Sequence, residues 1–211
     1  MKPPVKNVGA SVRARLTDRA RAGKEDVQLL FTRYAIERLL YRLAQSKHRD
    51  TFVLKGAMLF SLWAKVPYRS TGDLDLLAFG LSAPDHIAGV FRDICAEKGP
   101  ADGLGFDASS VKAEIARPED EYAGVRVTMT ATLANARLPI QVNIGFGDVV
   151  TPAAQTISYP TLLDFPAPAL NAYPRETVVA EKLEALVSLG MNNSRMKDFF
   201  DLWAIATMFD F

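Results

Sequence analysis

Asp73 and Asp75 alternate with Leu74 and Leu76 in the segment Ser70-Thr71-Gly72-Asp73-Leu74-Asp75-Leu76. Successive side chains of a strand point to opposite faces, so this pattern predicts a strand over 74–79 whose start carries leucines on one side and adjacent carboxylates on the other. Left alone, the two carboxylates repel and one tends to keep a proton. A divalent cation bridging them removes that penalty and keeps both ionised. The chain must therefore supply a core for one face of this strand and a charged ligand for the other.

The identity of that ligand is narrowed by what the chain lacks. A single cysteine, Cys95, excludes an internal disulfide and a cysteine-based zinc cluster, and only His48 and His86 are available as imidazole ligands. Oxygen ligands remain, and these suit hard cations such as Mg²⁺ or Mn²⁺. With 211 residues, 49% apolar and 23% charged, the chain has the composition of a soluble globular protein with one core and room for a helical lobe beside it. No apolar run approaches the roughly 18 residues of a membrane span, and no secretory leader is visible, so the cytoplasm is the expected compartment.

Charge is distributed unevenly. Residues 1–24 hold seven Lys or Arg against Asp18 alone, a basic arm of +6 on a remainder of −5. Such an arm suits contact with nucleic acid or an acidic partner, and it equally suits a solvated, partly disordered leader.

From Lys24 the apolar residues Val27, Leu30, Phe31, Tyr34, Ile36, Leu39, Leu40 and Leu43 recur at helical spacing, predicting a helix to about Ser46 with Arg33, Glu37, Arg38 and Arg42 facing water. A short strand over 51–54 then meets Lys55-Gly56, and 57–64 reads as a buried helix. Residues 84–98 suit another helix. Three β-type segments follow, at about 109–116, 124–133 and 138–146, the last two joined as a hairpin through 134–137. The Pro-rich segment 147–173 is expected to be an extended linker. Pro174 is expected at the first position of a helix that Gly190 ends, and Ser194 is expected to cap a last helix over 195–209. The chain ends at Phe211 on an apolar helix, which either closes the core or marks a truncation. The expected division is therefore a basic arm (1–24), a core (25–150), a linker (151–173) and a C-terminal helical lobe (174–211).

Around the acidic pair stand further candidates. Gly56 permits close backbone approach to a ligand, and the helix beginning at Ala57 directs free N–H groups toward an anion there. Lys55 adds positive charge, and Arg69 has the fork geometry that grips phosphate. Lys182 lies at the rim of an apolar helical stripe, where snorkelling also accounts for it. Arg195, Asp198 and Asp201 fall on neighbouring helical positions, where a salt-bridge cluster also accounts for them.

Five ordered blocks carry a resemblance: Lys55-Gly56-Ala57, the segment from Arg69 to Leu77, Gln141 to Asp148, Tyr173 to Lys182, and Asn193 to Leu202. From about residue 50 to its end the chain resembles the AbiEii family of nucleotidyltransferase toxins, to which the MenT toxins are related. The resemblance implies an α+β fold of the polymerase β-like nucleotidyltransferase type, a mixed sheet with flanking helices and a C-terminal helical lobe. It also implies the toxin of a bacterial toxin–antitoxin system, transferring a nucleotide from an NTP to an RNA, with tRNA ends as the substrate in some relatives, or to a protein. The cognate antitoxin is the implied partner, and no membrane is involved.

Carried over by motif, Asp73 and Asp75 hold Mg²⁺ or Mn²⁺, Lys55 and Gly56 form the phosphate-binding turn, and Thr71 is the polar position before the acidic pair. Lys182 contacts the triphosphate, with Arg69 a further phosphate ligand, and Asp198 completes the site. The chain departs from the pattern at Asn143, where a third acidic residue is expected; an amide oxygen still coordinates Mg²⁺ but cannot serve as a base. Ala57 likewise replaces a Ser or Gly. Asn143 motivates one alternative to nucleotidyl transfer, an NTP- or RNA-binding regulator of the same fold with impaired catalysis; a phosphotransferase acting on the γ phosphate is a separate alternative.

Overall fold

The computed structural model describes residues 7–63, 71–116 and 124–209. Their helices are α1 (Val8–Gly23), α2 (Val27–Gln45), α3 (Phe60–Trp63), α4 (Pro84–Ala96), α5 (Arg175–Leu189) and α6 (Met196–Met208). The strands are β1 (Phe52–Lys55), β2 (Asp73–Ala78), β3 (Leu104–Ala116), β4 (Gly124–Leu133), β5 (Ala136–Phe146), β6 (Gln155–Ser158) and β7 (Ala169–Ala172). They form one seven-stranded mixed sheet in the order β3-β4-β5-β2-β1-β7-β6. β2 runs parallel to β5 and β1 parallel to β7, while the other neighbours are antiparallel.

Alternation along the central strands sorts the two faces. Leu74 and Leu76 of β2, Val125, Val127 and Met129 of β4, and Ile140, Val142 and Ile144 of β5 are buried in the core against which α2 and α4 pack. The intervening residues, Asp73, Asp75, Gln141, Asn143 and Arg126, face the other way. The β4–β5 hairpin closes through Ala134-Asn135, with Leu133 opposite Ala136. Among the described residues no helix is long and apolar enough to cross a membrane.

Several expectations are corrected. Within the basic arm, for which a solvated, partly disordered leader is one of two expectations, residues 8–23 form a helix capped by the Asn7 side chain, which accepts from the Ala10 N–H at 3.0 Å. Val12, Leu16 and Ala20, four apart, bury one stripe of it. Two of its basic residues are tied to the 162–164 segment: Arg15 donates to Asp164 at 2.9 Å and Arg19 to the Leu162 carbonyl at 2.6 Å.

Glu37, Arg38 and Arg42 of α2 do not face water either; all three are buried. Asp102, also buried, accepts from Arg38 Nε at 3.1 Å and Arg42 Nη1 at 2.9 Å, and Arg38 donates to the Pro166 carbonyl at 2.8 Å. Glu37 accepts from the Leu162 N–H at 2.6 Å, and burial pushes its carboxyl up to about 7. Charges that a helical pattern assigns to solvent are thus paired with segments distant in sequence, which is what makes their burial tolerable.

The Pro-rich segment is extended, as expected, but it enters the sheet: β7 pairs with β1 and β6 with β7. Each strand has four residues, too few to display a period. β3 begins at Leu104 instead of about 109, and a register shift between Asp107 and Lys112 interrupts its alternation. The helix expected over 57–64 is a 3-10 turn (Gly56–Leu59) running into α3, and Ala64 lies outside the described residues. Pro174 caps α5 from outside, and Ser194 does not cap α6; there the Asn193 side chain accepts from the Arg195 N–H at 2.8 Å. Gly190 ends α5 with φ of 51°, as anticipated.

Candidate active site

β2 sits in the middle of the sheet, with Asp75 opposite Lys55 of β1 on one side and Asn143 of β5 on the other; Asp73 lies opposite Gln141. Asp73 and Asp75 share the face away from the core, as their spacing requires, Asp73 exposed and Asp75 half-buried. Asn143 Nδ2 donates to Asp75 Oδ1 at 3.1 Å, and Gln141 Nε2 donates to Asn143 Oδ1 at 3.1 Å. The position where a third acid was expected is thus an amide oriented onto the second carboxylate. Thr71 lies just before the strand, its hydroxyl 3.3 Å from the Asp73 carbonyl, which it supports.

Gly56 follows β1 with φ of +73°, and a Cβ built there would lie 2.2 Å from Asp75 Oδ2. Only glycine lets the turn pass this close to the carboxylate while holding a left-handed backbone. The turn after β1 and the acidic strand are therefore one unit.

Two ion clusters flank it. The Lys55 ammonium donates to Asp148 at 2.7 Å and Glu181 at 2.5 Å, lies 5.4 Å from the Tyr173 ring centroid, and Tyr173 donates its hydroxyl to Asp148 at 3.2 Å. Burial would lower the Lys55 pKa, but Glu181, Tyr173 and Asp148 outweigh it and hold the ammonium above its ordinary range. From α5, Lys182 reaches Asp198 at 2.8 Å and Asp201 at 2.7 Å on α6, and Arg195 pairs with Asp198 at 2.8 Å. The salt-bridge cluster expected from that last-helix pattern is present, and Lys182, Arg195 and Asp198 of it line the cleft.

These residues surround an open cleft of about 630 Å³ between the sheet and the α5–α6 pair. It is lined by Lys55, Gly56, Asp73, Asp75, Asn143, Lys182 and Asp198, all of them candidates from the sequence. Thr71 is not among the lining residues, and Arg69 lies outside the described residues. The cleft also includes Arg126, Asp148, Glu181 and Glu184, which had no assigned role. Asp148 and Glu181 carried a signal in retrospect, since each lies within a block of the resemblance. Arg126 lies in none, and its place follows only from the pairing of β4 with β5.

The residues present fit a hard divalent cation. Among the described residues no three His, Cys, Asp or Glu side chains converge as a ready-made cage. Two adjacent carboxylates in an open, oxygen-lined cleft are the donor set of Mg²⁺ held jointly by protein and substrate phosphates.

The sequence pattern of the family described as "Nucleotidyl transferase AbiEii toxin, Type IV TA system" matches residues 38–211. The chain belongs to the AbiEii nucleotidyltransferase toxin family. No curated protein matches it. Among solved structures, this AbiEii chain is similar to JHP933 from Helicobacter pylori, with 16% identity and a TM-score of 0.58 over 87% of this chain and 68% of that one. It is similar in the same degree to a candidate nucleotidyltransferase from H. pylori, with 16% identity and a TM-score of 0.57 over 87% of this chain and 70% of that one. At that identity the likeness is one of fold, which is the mixed nucleotidyltransferase sheet expected from the motifs. Family and fold together make the chain a nucleotidyltransferase of a type IV toxin–antitoxin system.

Proposed function

We propose that this AbiEii chain transfers a nucleotide from an NTP to the 3′ end of an RNA, tRNA being the foremost candidate, in the bacterial cytoplasm and under control of a cognate antitoxin. The observation that carries this reading is the convergence, in one cleft, of Asp73 and Asp75 with the Gly56 turn and the Lys182–Asp198 pair. Residues 25–150 would form the catalytic core and 174–211 the lobe that brings Lys182 and Asp198 to it, with 1–24 as a basic segment and 151–173 spanning between core and lobe.

Asp73 and Asp75 would hold Mg²⁺ or Mn²⁺, which neutralises the triphosphate and the charge that develops as an acceptor hydroxyl attacks the α-phosphorus and pyrophosphate leaves. Lys182 gives two of its three N–H donors to Asp198 and Asp201, leaving the third for a phosphate oxygen. Asp198 and Asp201 hold that ammonium in place. Lys55 is similarly committed to Asp148 and Glu181, so it serves the phosphates while anchored and not as a freely swinging cation. Arg69 would add a bidentate phosphate contact. The Asn143 amide orients Asp75 and supplies no base.

Incubation with α-labelled NTPs, Mg²⁺ and total tRNA should yield labelled RNA and free pyrophosphate. Movement of a γ label with release of a nucleoside diphosphate would instead identify a phosphotransferase, and no labelled macromolecule with any of the four NTPs would contradict the reading.

The Gly56 turn makes a sharper demand. In Gly56→Ala the new methyl must displace Asp75, and a shift of that kind at a reacting centre costs about 100-fold in rate. Gly72→Ala is the control, because a Cβ there meets only Leu29 Cδ1 at 3.9 Å. Single-turnover transfer by the two variants should differ by that factor, and equal rates would remove Gly56 from the site.

A further inference from the structure

Four cationic side chains line the cleft among the described residues: Lys55, Arg126, Lys182 and Arg195. Three are held by carboxylates at 2.5–2.8 Å. Arg126 is not. Among the described residues, the carboxylate that reaches it is that of Glu114, 4.0 Å from Nη1, and its buried Nε has no hydrogen-bond partner. An unsatisfied buried donor costs free energy that a ligand oxygen would return.

Its position follows from the sheet. Arg126 on β4 is directly opposite Asn143 on β5, which is directly opposite Asp75 on β2, so the three side chains stand in one row on the cleft face. With strands about 4.8 Å apart, Arg126 lies roughly 10 Å from the acidic pair. It lies on the side away from Lys55, which is opposite Asp75 on β1. Lys112 of β3, opposite Thr128 of β4, continues the same face beyond Arg126. A polyanionic acceptor entering a cleft rich in carboxylates needs a cation on its own side, and this is the one cleft-lining cation among the described residues that no carboxylate holds closely.

We propose that Arg126 is an acceptor-binding residue that grips a backbone phosphate of the RNA whose terminal hydroxyl reacts at the Asp73–Asp75 centre. This rests on the nucleotidyl-transfer reading above and names the residue that recognises the second substrate. A guanidinium suits a phosphate through its several N–H donors, and Glu114, 4.0 Å from Nη1, weakens the interaction.

The test is fluorescence anisotropy of a 5′-labelled tRNA with the whole chain and no NTP, alongside calorimetry with non-hydrolysable NTP analogues and Mg²⁺. Arg126→Ala should weaken tRNA binding about ten- to hundred-fold and reduce the slope of log affinity against log salt by about one, leaving NTP binding within a factor of two. Arg126→Lys should restore the salt slope without the full affinity. Glu114→Gln should tighten tRNA binding, a change of opposite sign that damage to the fold would not produce. Unchanged tRNA affinity in Arg126→Ala, equal losses for tRNA and NTP, or transfer to protein by a chain that binds no tRNA would overturn the proposal. Failure of nucleotidyl transfer itself would appear separately, as absence of label on any macromolecule despite an intact Arg126 effect on tRNA binding.

Discussion

Asp75→Asn is expected to keep its fold and lose at least about 1,000-fold in nucleotidyl transfer. The amide oxygen still accepts from the Asn143 side chain, so the row across β2 and β5 is preserved, and a substitution of this kind at a half-buried site changes stability by less than about 1 kcal/mol. What disappears is one of two adjacent negative charges, and with it the electrostatic reason for a divalent cation to sit there. Loss of several kcal/mol of transition-state stabilisation corresponds to three or more decades in rate. Asp73→Asn should behave alike, and the double variant should be little worse than either single one, because the two residues act as a unit. A thermal melt beside a single-turnover assay checks both halves. A variant that melts like the parent and still transfers within ten-fold of it would remove Asp75 from the centre.

The largest effect on stability is expected far from the cleft, at Asp102. Its carboxylate accepts from Arg38 Nε, from Nη1 and Nη2 of Arg42 and from the Leu104 N–H, and it is 1% exposed. Asp102→Ala leaves two buried guanidinium groups facing one another without their shared anion. Breaking a buried pair in this way costs about 3–5 kcal/mol, since the charge left behind is uncompensated. For a domain of this size that lowers the melting temperature by roughly 10 °C. Transfer by the remaining folded molecules should be unchanged below the new transition, because nothing in the cleft touches Asp102. A melting temperature within 2 °C of the parent would show that water reaches the two arginines and that the network contributes little.

These two sites mark the range of what is legible in the sequence. The strand of Asp73 and Asp75, the glycine turn before it and the β4–β5 hairpin are encoded locally, by alternation, by a residue that tolerates positive φ and by two apolar runs a turn apart. The burial of Glu37, Arg38 and Arg42 is not local. On a helical wheel they belong to the wet side, and only the approach of Asp102 and of the 162–166 segment makes them interior. The same holds for residues 8–23, whose buried stripe of Val12, Leu16 and Ala20 is overshadowed by basic neighbours. β6 and β7 are too short to carry a period. Within the cleft, Lys182 and Asp198 were accessible through the family's motifs, whereas Arg126 depends on strand register, which no residue near it announces.

Helices α5 and α6 expose Val187, Phe199, Phe200 and Trp203, with Phe200 and Trp203 stacked at 5.9 Å between ring centroids. These exposed apolar side chains lie on the same two helices that carry Lys182 and Asp198.

The most direct test of the central claim, transfer at a metal centre built on Asp73 and Asp75, is removal and return of the cation. Protein freed of divalent ions by chelation should incorporate no α-labelled nucleotide. Activity should return in full on adding Mg²⁺ or Mn²⁺ to the parent chain, and should not return in Asp73→Asn. Incorporation that proceeds at the parental rate in excess chelator, or that Mg²⁺ restores equally in Asp73→Asn, would contradict it.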